Sequence, residues 1–88
     1  MSNNEEIPKM DQETYKTSDL YYAAYLKVAG VLFQEALWEG GRVQFIFELT
    51  EGMRDLKNGF YNRTAKVSAL SYADEIRTMK SLTHSVVR

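Results

Sequence analysis

The clearest pattern in the chain is an alternation. Val43, Phe45, Phe47 and Leu49 take every second position, and Gln44, Ile46 and Glu48 fill the gaps. A period of two marks a half-buried strand. Upstream, Phe33 to Trp38 is rich in apolar and aromatic residues, and Gly40-Gly41 separates the two runs. Both glycines tolerate φ > 0, as a type I′ hairpin turn demands. A two-residue loop also sets the register. Glu39 is expected opposite Arg42, Trp38 opposite Val43, Ala36 opposite Phe45 and Gln34 opposite Phe47. One face then collects Trp38, Ala36, Val43, Phe45 and Phe47, and the other Leu37, Glu35, Gln44, Ile46 and Glu48. That separation supports the register, because a one-residue slip would exchange the faces.

Three segments carry helical spacing instead. Leu20, Ala23, Ala24 and Val28, with Tyr21 and Tyr25 beside them, predict a helix from about Ser18 to Ala29. Thr17 or Ser18 can cap it, Asp19 favours its first turn, and Gly30 suits its end. Met53, Leu56 and Phe60 predict a second helix that Thr50 caps and Asn58-Gly59 stops. Ala69, Tyr72, Ala73, Ile76, Met79 and Leu82 form the stripe of a third, from about Ala69 to Thr83. Ser68 or Ser71 caps it, and Ser71 with Asp74 has capping-box spacing. Met1 to Glu13 is polar and aperiodic, so residues 1–14 are expected to form a flexible tail and 15–88 one small domain. The expected fold is α+β in the order α-β-β-α-α, with one β-hairpin packed by its aromatic face against three helices.

With 88 residues the domain is near the lower end of what folds alone, and its six tyrosines, four phenylalanines and one tryptophan supply much of the core. The absence of cysteine excludes disulfides, thiolate metal sites and cysteine nucleophiles. No apolar run is long enough for a membrane helix. The N-terminal residues, with Glu5 and Glu6, do not read as a signal peptide. The cytoplasm is therefore the expected location.

Catalytic chemistry finds little support. His84 has no residues spaced to join it in a metal site or an acid–base pair. Asp74 and Glu75 are adjacent and diverge on a helix, and Glu35, Glu39 and Glu48 decorate the hairpin. Gly40-Gly41-Arg42 opens no helix and is not a phosphate loop. No catalytic residue, metal or cofactor is expected, and the protein is read as a non-enzyme.

Charge is more informative. Residues 1–51 hold four Lys/Arg and nine Asp/Glu, a balance of −5, and residues 52–88 hold seven and three, a balance of +4. Within the basic half, Arg54, Lys57, Arg63 and Lys66 are interleaved with Phe60 and Tyr61, and Arg77, Lys80 and Arg88 extend the set. Cations that meet phosphates beside rings that stack on bases suit single-stranded nucleic acid. The competing reading makes both rings core residues and the cations a solvated surface. Tyr15, Tyr21, Tyr22 and Tyr25 form a second cluster, suited to a protein interface in a homodimer or against a larger protein. Those tyrosines cannot all face inward from one helix, so at least one is expected to meet solvent or a partner. Free hairpin edges offer a further association route.

The run Tyr15 to Leu26 followed by Gly30, the block Val43 to Glu48 and the block Val67 to Lys80 together resemble a family of short bacterial and phage proteins known only as a domain of unknown function. The resemblance spans most of residues 15–82, and this chain departs from it in a short loop before the hairpin. It carries over no catalytic residue. It implies a compact module that travels with phage or mobile-element genes.

Overall fold

The computed structural model describes residues 13–87. It is an α+β domain with strand β1 (Thr14–Thr17), helix α1 (Leu20–Val28), strands β2 (Phe33–Glu39) and β3 (Arg42–Glu48), and helices α2 (Met53–Tyr61) and α3 (Ala69–Val86). The strands form an antiparallel sheet in the order β1-β3-β2.

Most of the expected hairpin is present. Glu39 lies opposite Arg42, Trp38 opposite Val43 and Ala36 opposite Phe45, and Gly40 and Gly41 take φ of 64° and 82°. The expected Gln34–Phe47 pair is not formed. A bulge between Phe33 and Glu35 places Phe33 opposite Phe47 instead. The extra residue returns an aromatic ring to the core face, where the two phenylalanine centroids lie 5.2 Å apart. The unbulged register would have put a polar glutamine there.

The hairpin is also not alone. Thr14 and the residues after it add β1 along β3, with Tyr15 opposite Phe47 and Thr17 opposite Phe45. Glu13 accepts a backbone hydrogen bond from Leu49 N–H at 3.0 Å. The expected tail therefore ends before Glu13, and its remainder, residues 1–12, lies outside the described residues, as does Arg88. The third strand explains Ile46, which is buried although it faces away from the helices. Lys16 and Glu35 flank it in register on either side, and long charged side chains shield apolar neighbours with their stems.

Each helix boundary is set by a particular backbone need. Asp19, rather than Thr17 or Ser18, caps α1, accepting from the N–H groups of Tyr21 and Tyr22 at 3.0 and 3.1 Å. Thr17 Oγ1 accepts from Asp19 N–H and holds the cap in place. Thr50 does not cap α2: its N-cap is Gly52, at φ 82°, a turn shape open to glycine. Nor does Asn58-Gly59 stop α2, which runs on to Tyr61. The Gly59 carbonyl instead accepts from Thr64 and Ala65 N–H, closing the helix from the loop beyond. Ser68 caps α3 through Ser71 N–H. The Ser71–Asp74 box is not made, because Ser68 is the N-cap and Ser71 already lies in the first turn; Asp74 pairs with Arg77. The third helix passes the expected Thr83 and keeps His84 in its last turn.

The core lies between the helix-facing side of the sheet and α1 with α3. Tyr22, Ala23, Ala24 and Leu26 of α1, Phe45 and Phe47 of β3, and Met79 of α3 are almost wholly removed from water. Tyr72, Ile76, Leu82 and Val86 complete the α3 contribution. The two alanines let neighbouring side chains approach the α1 backbone, and the rings fill the remaining volume. Lys27 Nζ lies 3.3 Å from Glu75 Oε1. Glu75 Oε1 is itself removed from water and finds no aligned hydrogen bond, so the pair is a charge contact between two mostly buried side chains.

Candidate functional site

The N-terminus of α1, the C-terminus of α2 and the start of α3 meet at one corner, and polar contacts tie them. Asp19 is the centre of this corner. Its Oδ1 caps α1, and its Oδ2 accepts from the Tyr61 hydroxyl at the end of α2. From α3, the Tyr72 hydroxyl donates to the Tyr21 carbonyl at 3.0 Å.

Beneath these contacts is an aromatic cluster with Tyr22 at its hub. Its ring centroid lies 6.1 Å from Tyr15, 5.4 Å from Phe60 and 5.2 Å from Tyr61. Tyr25 stacks on Phe60 at 5.3 Å. Tyr22 and Tyr25 are buried and Tyr15 half-buried, whereas Tyr21 is 50% exposed. Of the four tyrosines proposed for a protein interface, Tyr21 is the one that presents most of its ring to solvent.

Burial raises the pKa of Tyr22, Tyr61 and Tyr72 above the ordinary phenol value. For Tyr22 the neighbouring Tyr15 adds to the effect, and for Tyr61 the carboxylate of Asp19 does. A raised pKa means that the folded state favours the neutral phenol. Its contribution to stability is therefore complete below the unfolded value of about 10 and declines as pH rises beyond it. Urea midpoints are expected to hold level up to about pH 10 from this source and to fall above it. The share of phenolate absorbance that comes from these three tyrosines should appear together with unfolding. Phenolate absorbance rising fully while the fold persists would contradict that linkage.

The basic segment divides in two. Arg54, Lys57 and Tyr61 stand at i, i+3 and i+7 on α2, so they share one stripe of the helix. Arg54 and Lys57 are exposed, and Tyr61 keeps 49% of its surface despite its bond to Asp19. Arg63 and Lys66 follow in the exposed loop toward α3. Phe60 turns inward against Tyr22 and Tyr25, so its ring is not offered for stacking on a base. On α3, Arg77 lies two residues from the buried Met79, roughly 160° around the helix. Asp74 holds its guanidinium. Lys80 is exposed.

Arg63 has φ of 63°, and among the described residues no other non-glycine has positive φ. It occupies the left-handed position that ends α2, donating to the Phe60 carbonyl at 3.1 Å while Thr64 donates to Gly59. Glycine is the usual occupant of that position, and a side chain there costs about 1–2 kcal/mol.

Reading the sequence did not single out Leu70, 79% exposed at the start of α3, or Asp19 as the link between helices. Leu70 falls off the stripe that ends in Met79 and Leu82, which was its available signal. Among the described residues, no group of three or more His, Asp or Glu side chains is placed to hold a metal ion, and no helix is long and apolar enough to cross a membrane.

These features define a small α+β domain, a three-stranded antiparallel sheet backed by helices, with a basic surface beside a tyrosine-rich corner. The chain belongs to the family described as Domain of unknown function (DUF5659), whose model matches residues 12–85. No curated protein and no solved structure matches it.

Proposed function

We propose that the domain is a non-enzymatic binding module that engages single-stranded nucleic acid through α2 and the loop after it. One observation carries this reading. Arg54, Lys57, Arg63 and Lys66 are all exposed and without an ion-pair partner among the described residues, with the half-exposed Tyr61 among them. Cations left uncommitted beside a ring suit phosphates and bases. Arg63 strengthens the case, since the chain keeps a cation where glycine would relax the backbone. Arg77 and Lys80 would add long-range attraction. We read the module as cytoplasmic, and the resemblance of its sequence blocks implies that it travels with phage or mobile-element genes.

Fluorescence anisotropy with a labelled single-stranded oligonucleotide at several salt concentrations tests this. Four phosphate contacts would give a log–log salt slope of about −3. Arg63→Gly separates the role of the charge from that of the fold. It is expected to stabilise the domain by about 1 kcal/mol in urea unfolding by relieving the left-handed backbone. It should also flatten the salt slope by about 0.7. Lys66→Glu should flatten the slope at least as much with little change in stability. No binding at low salt, or slopes unchanged in both variants, would overturn the proposal.

A protein partner is the second reading. It is favoured by the exposed apolar side chains of Tyr21, Val67 and Leu70 near the same corner. A homodimer would appear in light scattering as a mass that grows with concentration and reverts in Leu70→Glu. A protein that remains monomeric and retains salt-sensitive oligonucleotide binding favours the first reading.

A further inference from the structure

The sheet leaves one long edge open. In the order β1-β3-β2, β3 has a neighbour on each side, while the seven-residue β2 is paired on one side only. In a hairpin with a two-residue loop, the pair beside the turn exchanges both hydrogen bonds. That pair is Glu39 and Arg42. Alternation then turns the N–H and C=O groups of Ala36 and Trp38 away from β3 toward the free side. Among the described residues no loop or turn backbone group bonds to them there. Beside this edge is a groove of about 460 Å³ between β2 and the last turn of α3, lined by Ala36, Leu37, Trp38, Ser85 and Val86. Trp38 and Leu37 are 40% and 39% exposed.

The charges on β2 select the occupant. Glu35 and Glu39 project on the face of the sheet away from the helices, and Ala36 and Trp38 on the face toward the groove. If two copies paired antiparallel about Leu37, Glu35 of each would stand opposite Glu39 of the other, and like charges directly opposite destabilise a ladder. The same two acids attract a strand that carries cations at those positions. Glu35 has no ion-pair partner among the described residues, and Glu39 has an exposed contact with Lys16 at 3.3 Å. We propose that β2 accepts an extended basic peptide segment from a protein partner as a fourth strand. Its two cations, four residues apart, would face Glu35 and Glu39, and apolar side chains between them would enter the groove at Trp38. Backbone pairing would supply affinity and the alternating side chains selectivity. The two glutamates also guard the edge against self-association.

Trp38 is the chain's one tryptophan and lines the groove, so its emission reports on occupancy. The probe is a capped nonapeptide with a lysine–valine–threonine–valine–lysine centre. Two controls accompany it: a version with glutamate for lysine, and a version whose β2-facing amides are N-methylated. The lysine peptide is expected to produce a saturable blue shift. The glutamate peptide should bind roughly fivefold to tenfold more weakly, and the methylated peptide should produce no shift. Glu35→Lys leaves one charge of each sign on that face and should largely erase the preference between the two charged peptides, and Glu35→Lys with Glu39→Lys should invert it. No saturable shift, an equal response to the methylated peptide, or an unchanged ranking in the double variant would overturn the proposal. So would a shift that grows with protein concentration alone, which would instead assign the edge to a second copy.

Discussion

Tyr22→Ala is expected to cost about 3–5 kcal/mol, the range for removing a large ring from a packed core. A chain of 88 residues has a total stability of about 4–13 kcal/mol, so the loss is a large share of it and should lower the urea midpoint steeply. Three observations support so large an effect. Tyr22 is 1% exposed. Its ring touches aromatic side chains from β1, α1 and α2. Among the described residues α2 meets the rest of the fold chiefly through α1, so the cavity could not close without moving α2. Tyr22→Phe separates the ring from its hydroxyl. The hydroxyl's hydrogen-bond partner is the Met53 sulfur at 4.0 Å, a weak acceptor, so its loss should change stability by less than about 1 kcal/mol. Circular dichroism during urea unfolding gives both values. A midpoint for Tyr22→Ala within error of the parent would show that the core is not organised around this ring.

What the sequence disclosed and what it concealed follow from the range of each signal. The hairpin was legible because Gly40-Gly41 and the alternation from Val43 to Phe47 act locally and agree. The bulge left one trace, Gln34 assigned to an apolar face, since a one-residue insertion leaves the patterns on either side intact. β1 was hidden because Thr14 to Thr17 is too short to establish a period, and its pairing with β3 is a long-range event. The run of α2 through Asn58-Gly59 reverses a local stop signal. Phe60 and Tyr61 must be helical to reach Tyr22, and that packing outweighs roughly 1 kcal/mol of glycine propensity. The basic segment was visible as composition, but only the fold shows that Phe60 is internal and Arg77 paired. Asp19 was recognised as favouring a helix start. Its bond to a residue 42 positions away was beyond any local pattern.

That bond gives the second large effect. Asp19→Ala is expected to cost about 2 kcal/mol: about 1 for the lost cap and a similar amount for the lost acceptor of a phenolic hydrogen bond. Asp19→Asn should retain most of the cap, because asparagine caps about as well as aspartate. It should lose mainly the charge-assisted part of the bond to Tyr61. Tyr61→Phe removes the same bond from the other end. If Asp19 acts on α2 through that bond, Asp19→Asn and Tyr61→Phe should be strongly non-additive, with a coupling of about 0.5–1.5 kcal/mol in a double-mutant cycle. Additivity would mean that Asp19 serves α1 alone and that α2 is held by its rings. The distinction bears on binding, because Tyr61 stands two residues before Arg63. A carboxylate that fixes Tyr61 also fixes the end of the helix from which the left-handed Arg63 projects. Coupled variants should therefore bind the oligonucleotide more weakly with an unchanged salt slope, since no phosphate contact is lost and only the placement of the cations is loosened.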